Sequence, residues 1–389
     1  MTLNSFQFNT TPGLRFGSGQ AKDSCKEIFS KLGQRILFIT DKGLMSLGLT
    51  NPTIKELQKM GFVEIFDDVE SDPSQKTLLN AIEIGKKIKA TGVIGFGGGS
   101  SMDVAKLSAL ILGSNENLEE AWGVANAKGP RLPLVLIPTT AGTGSEVTPI
   151  SIITVGEEEK KGVSSALILP DLAILDPDLT LGLPASTTAA TGIDAMVHAI
   201  EGYSSSNKNN NPISKMLAIE SLKLLGDSIE QAVFEGSNVK ARGNMLIGAM
   251  LAGKAFANSP VAAVHALAYP IGGTFHISHG LSNSLVLPYV LRFNTVEAKA
   301  SKDYAELAPY VFPKIDINKG AQAVSAEFID KLEDLSKRLG LPQKLREVDI
   351  PKEACEKMAR DAMKQTRLLV NNPRVVTEKD ALNIYQSAW

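Results

Sequence analysis

The chain has only four histidines, His198, His265, His276 and His279, and all of them fall between positions 198 and 279. Imidazole is the commonest protein ligand of divalent metals, so this clustering points to one chemical centre. Asp194 and His198 stand four apart in Gly192-Ile193-Asp194-Ala195-Met196-Val197-His198-Ala199-Ile200-Glu201, a stretch that reads as helix. At that spacing both side chains leave one helical face and can reach one ion. Val264-His265-Ala266-Leu267-Ala268-Tyr269-Pro270 and Ser278-His279-Gly280 supply two more imidazoles in apolar surroundings. Taken singly, each histidine is better read as a hydrogen-bonded structural residue, but one acid with three imidazoles fits a single divalent centre. Such a donor set suits Fe(II) or Zn(II) and argues against calcium and magnesium, which take oxygen almost exclusively. His276 is left over, as a residue near substrate or as an exposed or structural histidine.

A second group of residues suits a phosphate. Gly95-Phe96-Gly97-Gly98-Gly99-Ser100-Ser101-Met102-Asp103 follows an apolar run and opens a helical stretch. Glycines let backbone N–H groups approach phosphate oxygens, and the N-terminus of the following helix adds partial positive charge. Alone, the run is equally a plain glycine-rich turn. It is not the G-x-G-x-x-G fingerprint, and the acidic candidate for a ribose lies upstream of it, at Asp41. A carboxylate there would accept from both ribose hydroxyls and repel a 2′-phosphate, which predicts NAD over NADP; the alternative is that Asp41 caps a helix. A further loop, Pro138 to Thr148, follows another apolar run, and its hydroxyls on Thr139, Thr140, Thr143, Ser145 and Thr148 are expected to donate to phosphate and ribose, unless they serve local backbone groups.

These residues need elements to hold them. Arg35 to Thr40, Val93 to Phe96 and Leu134 to Ile137 read as buried strands, and between the first two Leu78, Ala81, Ile82, Gly85 and Ile88 recur at helical spacing. That alternation predicts a parallel sheet covered by helices. After Gly182-Leu183-Pro184 the pattern changes to long Ala-, Leu- and Met-rich stretches, so the expected domains are residues 1–184, α/β and Rossmann-like, and residues 185–389, all helical. The polar segment 205–212 reads as an exposed loop between helices. A length of 389 residues supports two domains, and 43% hydrophobic with 21% charged residues is ordinary for a globular protein. With 40 basic against 42 acidic residues no positive excess exists for nucleic acid. The sequence has no signal-like start and no run near the roughly 18 apolar residues of a membrane span, so no membrane association and a cytoplasmic location are expected. Cys25 and Cys355 lie far apart and share no metal-binding motif, and are read as inert.

Taken together, Gly97-Gly98-Gly99-Ser100-x-x-Asp103, Pro138-Thr139-Thr140-Ala141-Gly142-Thr143, Asp194-Ala195-x-x-His198-Ala199-Ile200-Glu201, His265-x-x-x-x-Pro270 and His279-Gly280 resemble the iron-containing (group III) alcohol dehydrogenases, nearly from end to end. The resemblance implies that architecture, a nucleotide-binding α/β half with a helical metal-binding half, as in dehydroquinate synthase-like proteins. It also implies hydride transfer between a small primary alcohol or aldehyde and NAD(H). By it Asp194, His198, His265 and His279 are ligands of a divalent metal, iron foremost and zinc as the alternative, and Asp41 selects NAD. It implies in addition that Lys160 and Leu179 contact the ribose and nicotinamide end, that Phe256 walls the substrate pocket, and that the chain forms a homodimer or larger homo-oligomer. Many members carry another histidine four residues after the third ligand, where this chain has Tyr269; the proton relay would then pass through the Tyr269 hydroxyl, His276 or water. The runner-up is a glycerol dehydrogenase or a dehydroquinate synthase-like lyase of the same superfamily.

Overall fold

The computed structural model describes residues 5–156 and 159–389, so part of the chain start, read above as lacking a signal, lies outside them. The chain divides into two compact units: residues 9–182, and residues 183–389 with the described residues up to Phe8.

The strands of the first unit are β1 (Gly13–Phe16), β2 (Arg35–Ile39), β3 (Phe62–Phe66), β4 (Gly92–Gly97), β5 (Gly123–Val124), β6 (Leu134–Pro138), β7 (Ile150–Val155), β8 (Glu159–Ser164) and β9 (Leu172–Leu175). Six form one sheet in the order β1-β9-β6-β4-β2-β3, parallel at every pairing, as the alternation of strands and helices predicted. Side chains alternate across a strand, so a strand covered on both faces must be apolar in both phases. Ile36, Phe38, Ile94 and Phe96 enter one core, Leu37, Ile39 and Val93 the other. Close packing of the helix Gly99–Ser114 on β4 depends on Gly95, where a Cβ would lie 2.7 Å from both Ala105 Cβ and Leu136 Cδ2.

β2 pairs with β3 on one side and β4 on the other, so strand order reverses between β2 and β4. Ligands of open α/β sheets bind beyond the carboxyl ends of the strands at such a reversal. Ile39 lies opposite Gly95, which brings Asp41 and the glycine loop to that same end. A small second sheet, β5-β8-β7, was not expected: the β7–β8 hairpin is antiparallel, and the polar Lys160-Lys161 in β8 hides its strand character.

Among the described residues the second unit has helices and no strand. Its helix Ala185–Ser204 is buried from Gly192 to its end, which explains a sequence apolar on nearly every side. Asn211, Asn238 and Thr377 start three other helices by accepting from backbone N–H groups, Thr377 in a reciprocal pair with Asp380. Segment 205–212 leads from the helix Ala185–Ser204 into Pro212–Phe234 as expected, but only Ser206, Lys208 and Pro212 in it are exposed. Asn207 donates to Asn371 at 2.8 Å, Asn210 donates to the carbonyls of Tyr203 and Ser205, and Asn211 is buried. Amides pack well when each finds a partner, so polar composition alone did not imply exposure.

Cys25 and Cys355 form no disulfide and are buried, and burial pushes the Cys25 thiol up to about 12, which agrees with inert residues. Among the described residues no single helix is long and apolar enough to cross a membrane.

Candidate metal centre and dinucleotide loops

Within the helical unit, Asp194 and His198 project from the helix Ala185–Ser204, His265 from Ala263–Phe275, and His279 from the first turn of His279–Asn294. One donor atom of each residue lies within 4.8 Å of those of the other three. Asp194 Oδ1 is 4.0 Å from His265 Nε2 and 3.7 Å from His279 Nε2. One carboxylate and three convergent imidazoles fit a divalent cation of the iron or zinc type. Asp194, His198 and His265 are buried while the His279 side chain is 40% exposed, so solvent reaches the set on the His279 side.

The surroundings keep the Asp194 carboxylate charged. Burial alone would raise the Asp194 carboxyl, but His198, His279, His265 and the Asn283 amide outweigh it and hold it below its ordinary range. Asn283 Nδ2 donates to Asp194 Oδ1 at 2.6 Å. Gly280 lets the helices bearing Asp194 and His279 touch, because a Cβ there would collide with the Ala190 carbonyl oxygen and lie 3.3 Å from Asp194 Cβ. The Phe256 ring stacks on His198 with centroids 4.3 Å apart, and His198 stacks on His265 at 4.7 Å. Tyr269 lies 6.1 Å from His279 between ring centroids, and its hydroxyl accepts from Arg367 at 3.3 Å. His276 is exposed and caps the end of Ala263–Phe275 with φ of 56°.

In the sequence Glu201 stands out only as part of the motif that begins at Asp194, and Asn283 does not stand out at all. Glu201 Oε2 lies 2.7 Å from His265 Nδ1, and Asn283 touches Asp194. Each stands one helical turn beyond a ligand, Glu201 after His198 and Asn283 after His279, and that spacing was the available signal.

In the α/β unit the glycine loop forms the start of Gly99–Ser114, whose N-cap is Gly98 with no side chain capping it. The first-turn N–H groups of an α-helix have no partner within it, so this terminus suits an anion. A Cβ on Gly99 would lie 3.0 Å from Thr143, and one on Gly98 would lie 3.8 Å from Thr140, so both threonines flank the loop. Thr139 follows from β6, where its N–H donates to the Gly97 carbonyl at 3.0 Å. Ser145 and Thr148 are buried and accept from Lys106, so their oxygens serve the protein interior in this structure. Asp41 Oδ1 accepts from the Leu44 N–H at 2.9 Å, the capping role weighed above, which leaves Oδ2 for another donor. Lys160 pairs with Asp72 at 2.7 Å, and Leu179 is buried.

Residues 12–177 match the family profile described as iron-containing alcohol dehydrogenase, and residues 188–389 match that described as Fe-containing alcohol dehydrogenase family, C-terminal. Long-chain-alcohol dehydrogenase 1 of Geobacillus thermodenitrificans is 39% identical over 92% of this chain and 91% of its own. The NAD-dependent methanol dehydrogenase of Bacillus methanolicus is 32% identical over 98% and 99%. Among solved structures, that of a 1,3-propanediol oxidoreductase superposes with a TM-score of 0.94 at 31% identity, covering 99% of this chain and 100% of that one.

Proposed function

The chain belongs to the iron-containing alcohol dehydrogenases and is a metal-dependent alcohol dehydrogenase; from that premise we propose that it interconverts small primary alcohols and aldehydes using NAD(H) and iron(II), with zinc(II) as the alternative ion. The observation carrying this reading is the convergence of Asp194, His198, His265 and His279 within 4.8 Å. When bound, the ion supplies Lewis acidity and the dinucleotide a hydride acceptor or donor.

The chain's own residues do the rest. Asp194 offsets part of the cation's charge, and the imidazoles hold it without adding more. Phe256 fixes the His198 ring by stacking and supplies apolar wall for the substrate. Gly97, Gly98, Gly99 and Ser100 present backbone N–H groups to the pyrophosphate, with Thr139, Thr140 and Thr143 beside them. Ser145 and Thr148 shape that loop from behind. Asp41 accepts from the ribose, and Lys160 and Leu179 serve the ribose and nicotinamide end. Tyr269, His276 or water passes the hydroxyl proton toward solvent. The enzyme acts as a cytoplasmic homo-oligomer, dimer or larger, a state that sedimentation reads directly.

The test is metal analysis of anaerobically purified protein, with NADH formation measured across primary alcohols of increasing length and NADP+ as the competing cofactor. Support for the reading comes from stoichiometric iron or zinc with NAD-linked oxidation of at least one alcohol. Metal-loaded protein that oxidises none of them would sink it.

A further inference from the structure

The helix Ala185–Ser204 carries a third inward polar residue, an acid, besides its two ligands. Asp194, His198 and Glu201 follow one another at helical spacing and are all buried. The Glu201 carboxylate spans the start of the helix Ala263–Phe275: Oε1 accepts the Val264 N–H at 2.7 Å, and Oε2 lies 2.7 Å from His265 Nδ1. Val264 N–H is one of the first-turn donors a helix leaves unsatisfied, so an acid there also meets the positive end of the helix.

We infer that Glu201 is a positioning residue that fixes the tautomer of His265, placing its proton on Nδ1 so that Nε2 presents a lone pair to the metal centre. The inference rests on the metal-site reading above. An ionised carboxylate only accepts, so the ring nitrogen against Oε2 must donate. The opposite side of the ring agrees with that arrangement. His265 Nε2 lies 3.3 Å from Asn283 Nδ2, the amide nitrogen because it contacts the acceptor Asp194 Oδ1 at 2.6 Å, and the same nitrogen lies 3.3 Å from His279 Nε2. With one amide hydrogen on Asp194, the other serves His265 or His279, so a lone pair on Nε2 suits the site while the Glu201 contact selects the tautomer. Both partners come from the helices that also bear the other ligands.

Glu201→Gln separates this role from simple support. The amide keeps the side chain's volume, and its oxygen can still accept from Val264, a donor that cannot change. Its NH2 group then faces His265 Nδ1 and drives the ring proton onto Nε2, toward the ion. The conservative variant therefore fails as badly as Glu201→Ala, whereas a merely structural role predicts near wild-type behaviour for Gln.

The experiment uses the full chain, stripped by chelator, as wild type, Glu201→Gln, Glu201→Ala and His265→Ala. Zn2+ affinity is read by chelator competition, NAD+ affinity by fluorescence, and the His265 tautomer by 15N correlation spectra, assigned by the signal missing from His265→Ala. Glu201→Gln is expected to weaken Zn2+ binding about 10- to 100-fold, leave NAD+ affinity unchanged and move the His265 proton to Nε2. Zn2+ affinity in Glu201→Gln within about threefold of wild type, or a proton on Nε2 in the wild type, overturns the inference. The wild-type spectrum decides the matter even where neither Glu201 variant folds. Wild-type protein that binds no divalent ion removes the metal site itself, a result distinct from either.

Discussion

Lys106 Nζ donates to Ser145 Oγ at 2.7 Å from a position with no solvent exposure. It also donates to Thr148 Oγ1 and the Ile150 carbonyl, while the Ser145 hydroxyl donates to Asp103. Lys106 and Asp103 belong to the helix after the glycine loop, so this buried pair ties that loop to the hydroxyl loop. Burial drives the Lys106 pKa from 10.5 down to about 8, against the attraction of Asp103 and Glu146. Between those values the unfolded chain holds a proton that the folded chain has shed. Stability from this group is therefore lowest below pH 8 and recovers as pH rises to 10.5. Relative to Lys106→Met, wild-type unfolding free energy should stay flat up to about pH 8 and then gain about 3 kcal/mol toward pH 10.5, read by urea denaturation. A difference constant across that range would contradict the depressed lysine.

Asp41 combines a visible cap with a proposed ribose contact, and two substitutions separate them. Asp41→Ser retains an N-cap oxygen but loses the charge; it should leave stability within about 0.5 kcal/mol and raise the relative use of NADP. Asp41→Ala loses both and should cost about 1 kcal/mol in addition. Thermal unfolding and the NAD/NADP ratio of kcat/KM check the two effects separately. Unchanged cofactor preference in Asp41→Ser would leave Asp41 as a cap alone.

The four residues that converge at the candidate metal centre were legible in the sequence because chemistry restricts residue type and the helix restricts spacing. Continuous apolar runs marked β2, β4 and β6 because both faces of the sheet are covered. Strand order was not legible: nothing in the residues of β2 says that β3 and β4 lie on opposite sides of it, and that reversal is what places Asp41 beside the glycine loop. The direction in which the Ser145 and Thr148 hydroxyls point was not legible from their type; here both accept from Lys106. Glu201 and Asn283 were overlooked because their partners, His265 and Asp194, are distant in sequence and only packing joins them.

Gly280 should behave as part of the metal centre although it has no side chain. A Cβ at this position strikes the Ala190 carbonyl and crowds Asp194, so Gly280→Ala must move the helix bearing His279 away from the helix bearing Asp194. Overpacking of this kind costs about 1–3 kcal/mol. Zn2+ affinity should fall about tenfold or more, since a displacement near 1 Å spoils ligand convergence. Chelator competition and thermal unfolding measure both effects. Wild-type affinity in Gly280→Ala would show that the two helices are not held at contact distance.

Tyr269 stands where many family members have a histidine, with its ring beside His279. Because Arg367 donates to the phenolic oxygen, the hydroxyl's own proton remains available for transfer to or from another group. Tyr269→Phe keeps the ring and removes that proton carrier. If the hydroxyl relays the substrate proton, kcat should drop by about 100-fold, with metal content and NAD+ affinity unchanged, and Tyr269→His should recover much of the loss. His276→Gln, altering an exposed residue, should leave kcat within about twofold. Steady-state kinetics with a solvent isotope effect compare the three variants. A Tyr269→Phe enzyme turning over at the wild-type rate, alongside an impaired His276→Gln, would transfer the relay to His276; two unimpaired variants would leave it to water.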